Sequence, residues 1–183
     1  MHTEKRMKLD VWTPKKVKRN DIKEIVEVKR LLSLFWGLTM VEKLSKSDVA
    51  FIQQLPVGRL ATVTKECEPI VRPVWSVFDS VFIYFASDPD MPKLEHIEEN
   101  PEVSMVFDDF DPENWANVKG IRVQGEAEIL WEGEEYRYAH SLLEEKYPEY
   151  RTNEGGWKEG DIPIIKVTPT NYSKWSAGQL KKK

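Results

Sequence analysis

Short runs in which apolar and polar residues alternate dominate the chain after residue 56, and this is the pattern of half-buried β-strands. Two such runs flank a charged turn at 65–68 and predict a hairpin. A later run of six apolar residues predicts a buried strand, and a long run broken by Gly120 and Gly125 predicts a strand that bends. The expected strands are 58–64, 69–78, 81–86, 102–107, 118–131 and, broken at 168–170, 162–167 with 172–175.

Helical spacing of apolar positions predicts four short helices, at 21–32, 48–55, 92–99 and 132–147. Ser45 or Ser47 caps the second of these, and Pro56 ends it. Six strands with only short helices between them indicate a small closed barrel, because closure removes exposed sheet edges. We therefore expect a mainly β fold with short peripheral helices.

The first 44 residues differ from the remainder, since a basic, proline-containing lead-in precedes the amphipathic helix. We expect three parts: an N-terminal helical extension at 1–44, one domain at 45–178 and a basic tail at 179–183. The helix is expected to pack on the domain or to cover a dimer contact. A partner-binding helix and a membrane-surface helix remain alternatives, and Met40 offers a second start for the compact domain.

Composition narrows the class of protein. The chain of 183 residues has a net charge of −4 and one cysteine, Cys67, which excludes an internal disulfide and indicates a reducing compartment. No apolar run approaches the roughly twenty residues of a membrane span, and the first ten residues are too charged for a signal peptide. We expect a cytoplasmic protein that binds neither nucleic acid nor membrane.

Candidate chemistry is sparse. The three histidines, His2, His96 and His140, are isolated, so no metal site is expected. The chain shows neither the strand-turn-serine elbow of hydrolases nor a glycine-rich dinucleotide loop. No side chain is nominated as a catalytic acid, base or nucleophile.

Groups suited to a phosphate do occur at the ends of predicted elements. Arg59 opens the first strand, Ser87 follows the third, and Lys93 lies in the first turn of the next helix. A dianionic phosphomonoester needs fixed cations for its charge, and a hydroxyl and backbone N–H groups for its geometry. The conjunction of these three residues predicts an anion site.

These residues belong to an ordered series of motifs, and the series, over about 45–178, resembles the pyridoxamine 5′-phosphate oxidase-like, FMN-binding split β-barrel family. The resemblance implies a six-stranded split barrel, FMN as cofactor, and a homodimer with the flavin between subunits. The motifs are Gly58–Val63, Pro69, Pro73–Ser76, Ile83–Ser87, Lys93, Asn100–Ser104, Arg122–Ala127, Val167–Pro169 and Trp175.

The resemblance also assigns residues. It implies that Arg59, Ser87 and Lys93 hold the flavin phosphate, and that the chain at Val74, Trp75 and Ser76 borders the ring system. Alternation places Arg122 and Gln124 on the same face of their strand as Gly120. The further cofactor-binding positions that it implies are Leu60, Ala61 and Thr62 in the first strand, and Arg122, Gln124 and Trp175 reaching the partner's flavin.

The sequence departs from the family after Trp175, where the oxidases proper carry an Arg-x-His-like element and this chain has Ser-Ala-Gly-Gln-Leu. The resemblance therefore does not extend to recognition of a substrate phosphate, and the sequence predicts a small-molecule substrate without identifying it. A deazaflavin coenzyme is the nearest alternative cofactor, with Arg72 and Lys119 available to its acidic tail. A non-catalytic flavin- or haem-binding sensor, or a cofactor-free dimer, is the competing class.

Overall fold

The computed structural model describes residues 44–151 and 157–177. Within these residues, seven antiparallel strands form one sheet, with three α-helices and two 3-10 turns around it. The strands are β1 (Gly58–Val63), β2 (Pro69–Val74), β3 (Ser76–Phe78), β4 (Ile83–Ala86), β5 (Glu102–Asp109), β6 (Lys119–Leu130) and β7 (Ile164–Ser176). The helices are α1 (Lys46–Gln54), α2 (Pro92–Glu99) and α3 (Glu134–Lys146), and the 3-10 turns are Trp115–Asn117 and Pro148–Tyr150.

The sheet has the order β2-β1-β5-β6-β7-β4-β3, so its two edge strands are neighbours in the chain. They are joined through Trp75 alone, which requires the sheet to curl until its edges meet. This confirms the predicted split barrel. The run 69–78, predicted as one strand, is divided at Trp75 and pairs with β1 on one side and β4 on the other, so the sheet has seven strands rather than six.

The core lies inside the curled sheet. Leu60, Met105 and Val123 stand opposite one another on three neighbouring strands, and each is almost completely buried. Helix α2 covers part of this core with Leu94 and Ile97, as its helical spacing predicted. Burial of such side chains contributes about 1.5–3 kcal/mol each and is the main stabilisation of the barrel.

The ladder between β6 and β7 is irregular at Gly125, one of the two glycines at which the sequence predicts a bend. The pairing of β6 with β7 shifts between Gln124 and Gly125, which leaves Thr170 of β7 as an extra residue. The predicted break at 168–170 is wrong, because β7 is continuous. Pro169 is tolerated there since it lies at the bulge, where the ladder is already interrupted.

Helix α1 begins at the cap that the sequence predicts. Ser45 is its N-cap, and the Ser45 hydroxyl and the Asp48 carboxylate accept hydrogen bonds from each other's backbone N–H. Several predictions concern residues outside those described: the helix at 21–32, the rest of the extension up to residue 43, the possible start at Met40 and the tail at 179–183. No helix among those that the structure describes has the length and apolar character needed to cross a bilayer.

Candidate functional site

Lys93 and Ser87 meet at one end of the barrel. Lys93 lies in the first turn of α2, which begins at Pro92, and Ser87 directly follows β4. The ammonium Nζ of Lys93 donates a hydrogen bond of 2.8 Å to Ser87 Oγ. Both residues are buried, with 8% and 4% of their surface exposed. The structure thus brings together two of the three predicted phosphate ligands.

The surroundings of Lys93 are short of negative charge. Burial lowers the pKa of Lys93, the nearby Asp88 carboxylate raises it in part, and the Arg72 guanidinium lowers it further. Within the described residues the ammonium forms no ion pair and has a single hydrogen-bond acceptor, the Ser87 hydroxyl. An ammonium carries three donors, so two remain for an anion.

Arg72 supplies the second cation of this site, and the sequence did not nominate it for the phosphate. It stands opposite Leu60 in the β1–β2 ladder, so its side chain shares the sheet face of Leu60 and Thr62. Helix α2 packs on that face, where Thr62 Oγ1 and His96 Nδ1 are 3.0 Å apart. Arg72 forms no hydrogen bond or ion pair with another described residue.

Arg59 does not join this pair, contrary to the sequence-based prediction. Side chains alternate along β1, so Arg59 and Ala61 lie on the face opposite to Leu60 and Thr62. The guanidinium of Arg59 pairs there with the carboxylate of Asp108. Only the strand register reveals which arginine faces Lys93, and it cannot be read directly from the sequence.

The predicted ring-binding segment lies where β2 passes into β3. Val74 and Ser76 are buried, whereas Trp75 is 46% exposed. The Trp75 ring stacks on Tyr147, with centroids 5.7 Å apart and planes at 17°, and is tilted against Tyr150 at 5.8 Å. Three residues of extended chain, about 10 Å, separate Trp75 from Arg72. A cation and an aromatic surface are therefore close together along the chain.

The residues predicted to reach a partner's flavin lie on the outer face of the sheet. Arg122 is exposed, Gln124 accepts a hydrogen bond of 3.1 Å from Asn171, and the Trp175 ring lies across Gly120. A Cβ at Gly120 would come within 2.1 Å of that ring, so the glycine permits this packing. Arg59 is in register with Arg122 through β5 and belongs to the same face.

A cavity of about 380 Å³ lies between α1 and the ends of β6 and β7. Its wall includes Trp175, Lys119 and Lys174. The Lys119 ammonium is 4.4 Å from the centre of the Phe51 ring, and Lys174 forms a 2.9 Å ion pair with Asp48. The cavity therefore combines aromatic surface with two cations, of which one is paired.

Metal-binding groups do not cluster in the part of the chain that the structure describes. No three His, Cys, Asp or Glu side chains there lie close enough together to hold an ion.

Comparisons with known proteins agree with this architecture. A sequence model of the pyridoxamine 5′-phosphate oxidase family matches residues 44–176. No curated protein matches the chain in sequence.

Several solved structures share the fold. The conserved hypothetical protein Rv2991 from Mycobacterium tuberculosis has a TM-score of 0.61 at 19% identity, over 75% of this chain and 88% of its own. HutZ, the haem storage protein from Vibrio cholerae, has a TM-score of 0.60 at 17% identity, over 73% of this chain and 94% of its own. An F420 reductase has a TM-score of 0.52 at 25% identity, over 71% of this chain and 98% of its own.

Proposed function

We propose, from the premise that this chain belongs to the pyridoxamine 5′-phosphate oxidase family, that it binds FMN and acts as a flavin-dependent oxidoreductase. The observation that carries the proposal is the buried ammonium of Lys93, whose one partner among the described residues is the Ser87 hydroxyl. Burying a cation is costly unless an anion or several hydrogen bonds compensate its lost hydration. The dianionic phosphate of FMN is an anion of the required kind.

In this proposal each part of the site has its own task. Ser87, Lys93 and Arg72 bind the phosphate, and the chain from Val74 to Ser76 borders the ring. Bound FMN would supply hydride transfer, while the protein supplies binding, orientation and exclusion of water. The substrate is a small molecule that we leave unassigned.

The proposed assembly is a homodimer in the cytoplasm, with the flavin in the seam between two copies. The outer sheet face supports it, because Arg59, Arg122 and Trp175 stand there as exposed polar and aromatic groups beside Val71, which is also exposed. Arginine and tryptophan are enriched in protein interfaces.

A deazaflavin coenzyme is the second candidate cofactor. The likeness to an F420 reductase at 25% identity favours it. So does the cavity with Lys119 and Lys174, which offers cations to an acidic tail near Trp175. A haem-binding sensor remains the third candidate.

Mass spectrometry of the small molecule that co-purifies with the chain separates FMN, deazaflavin and haem. We expect a yellow protein that releases FMN. Excess FMN should also stabilise the cofactor-free protein, by about 2.7 kcal/mol at a hundredfold over Kd. A colourless protein whose melting temperature is unchanged by FMN would contradict the proposal.

Alanine variants test the phosphate ligands. Lys93→Ala and Arg72→Ala should each weaken FMN binding about ten- to hundredfold, because each removes a charge-assisted contact. We expect a smaller loss for Arg59→Ala, whose guanidinium is paired with Asp108 on the other face, and none for Lys65→Ala in the exposed hairpin turn. Isothermal titration measures all four. Wild-type affinity in Lys93→Ala would refute the site.

A further inference from the structure

Two side chains at the C-terminal end of α3 contact the backbone of the predicted ring-binding segment. Lys146 Nζ donates hydrogen bonds to the carbonyl oxygens of Ser76, at 2.7 Å, and Leu55, at 2.8 Å. Tyr147 Oη lies 2.7 Å from the same Ser76 oxygen and 2.9 Å from that of Pro56. The Ser76 carbonyl of β3 is thus bound by Lys146 of α3 and by Tyr147 just after it. Both side chains also bind the segment that follows α1.

The same tyrosine fixes the plane of Trp75. One face of the Trp75 indole is covered by the nearly parallel Tyr147 ring, and Tyr150 packs against it at an angle. Tyr147 itself is buried and hydrogen-bonded, so its ring has little freedom. The indole remains about half exposed, so part of its surface is available to a planar ligand.

This aromatic surface is adjacent to the phosphate site. Burial is the main cause of the raised pKa of Tyr150, and the Asp88 carboxylate adds to it. The same carboxylate partly offsets the burial that lowers the pKa of Lys93, so Asp88 is close to both Tyr150 and the Lys93 ammonium. A ligand with a phosphate at one end and a flat ring at the other would contact both regions.

We propose that Lys146 and Tyr147 are positioning residues for the cofactor ring. They fix the Ser76 backbone, and they keep Trp75 in the orientation in which its exposed surface stacks on the isoalloxazine. The inference rests on the proposed function and extends it to two residues outside the motifs. Neither residue touches the cofactor. They act through Ser76 and Trp75.

The test compares paired variants in the full-length protein with FMN as the probe. Tyr147→Leu removes both the stacked ring and the hydroxyl, whereas Tyr147→Phe removes only the hydroxyl. Lys146→Met removes both hydrogen bonds, and Lys146→Arg retains a cationic donor. Tyr136→Leu is the matched control, because Tyr136 is also a buried α3 tyrosine that donates to a backbone carbonyl, that of Ile162 at 2.9 Å.

We expect Tyr147→Leu to weaken FMN binding about two- to tenfold, the range of one lost aromatic contact. Lys146→Met should weaken it by a similar factor, about that of one lost hydrogen bond. They should also change the visible circular dichroism and the fluorescence of the bound flavin. Tyr147→Phe and Lys146→Arg should retain most of the wild-type signal and remain informative if the larger changes prevent folding. Tyr136→Leu should lower the melting temperature without altering the flavin spectrum.

The outcomes separate the two claims. A wild-type protein that binds FMN, with variants of unchanged affinity and spectrum, overturns the positioning role alone. Equal spectral changes in Tyr136→Leu and Tyr147→Leu would overturn it as well, because they would show a general loss of structure. A wild-type protein that binds no FMN overturns the proposed function and this inference with it.

Discussion

Two half-buried lysines, Lys146 and Lys166, have opposite electrostatic surroundings. Lys146 is hydrogen-bonded to carbonyl oxygens, and burial lowers its pKa to about 8. Burial also acts against the charge of Lys166, but hydrogen bonds to Glu128 and Glu135 outweigh it and raise the pKa of Lys166 above its ordinary value. Their contributions to stability should therefore depend on pH with opposite sign.

Between pH 8 and 10.5 the unfolded chain keeps a proton on Lys146 that the folded chain has lost, so the contribution of this group to the free energy of unfolding rises with pH. The stability of wild type relative to Lys146→Met should therefore increase by about 1–3 kcal/mol from pH 7 to pH 10. Urea unfolding at several pH values measures it.

Lys166→Met is the matched comparison. The raised pKa of Lys166 means that its contribution is fully present below the unfolded pKa and is lost as the pH rises through the folded one. Wild type should thus lose stability relative to Lys166→Met at alkaline pH. If the free energy of unfolding relative to wild type changed with pH in the same direction for both variants, the assigned environments would be wrong.

Glycines in the long strand β6 show how an element accommodates its neighbours. A Cβ at Gly125 would lie 2.5 Å from the backbone oxygen of Thr168, at the bulge, where the backbone cannot withdraw. The atoms nearest to a Cβ at Gly120 belong to the ring of Trp175, which is a partly exposed side chain that can move. The two glycines should therefore respond differently to substitution.

We expect Gly125→Ala to lower the free energy of unfolding by about 1–3 kcal/mol, because overpacking against backbone strains the bulge. Gly120→Ala should cost less stability but displace the indole of Trp175 from the strand. Urea unfolding and tryptophan fluorescence separate the two effects. Equal destabilisation would indicate that Trp175 is held as firmly as the backbone.

Element boundaries were predictable where the chain carries strong local signals. The predicted bounds of helix α2 agree with the structure, because Pro92 starts it and Asn100-Pro101 ends it. The division at Trp75 was not, since both sides are rich in strand-forming residues and the change of partner is a tertiary event. The break at Pro169 was overpredicted because proline usually interrupts a strand, and only the register shows the bulge that admits it.

Part of the candidate site could also be predicted from the sequence. The motif series predicts that Ser87 and Lys93 lie together, and their side chains are hydrogen-bonded. The choice between Arg59 and Arg72 required the register of β1 with β2, which a single sequence does not encode in readable form. Lys146 and Tyr147 lie outside every motif of the sequence, because their role depends on contacts with Ser76, about seventy residues away along the chain.

At the scale of the whole molecule, the proposed phosphate ligand Lys93 and the proposed ring contact Trp175 lie on different surfaces of the chain. Lys93 lies at the end of the barrel covered by α2, whereas Trp175 lies on Gly120 at the outer face. If one flavin contacts both, the two residues come from different copies, because a twofold axis repeats each patch on the partner. Whether Lys93 and Trp175 of one site come from the same chain or from two chains therefore distinguishes the two arrangements.

Mixing two defective variants tests that arrangement. Lys93→Ala and Trp175→Ala homodimers should each bind FMN weakly, and a heterodimer of the two should contain one intact site and one doubly defective site. Statistical exchange of subunits would then restore wild-type affinity at about a quarter of all sites. Titration of the re-annealed mixture against the two unmixed proteins measures the recovery. If both residues served the same chain's flavin, every site would keep its lesion and mixing would restore nothing.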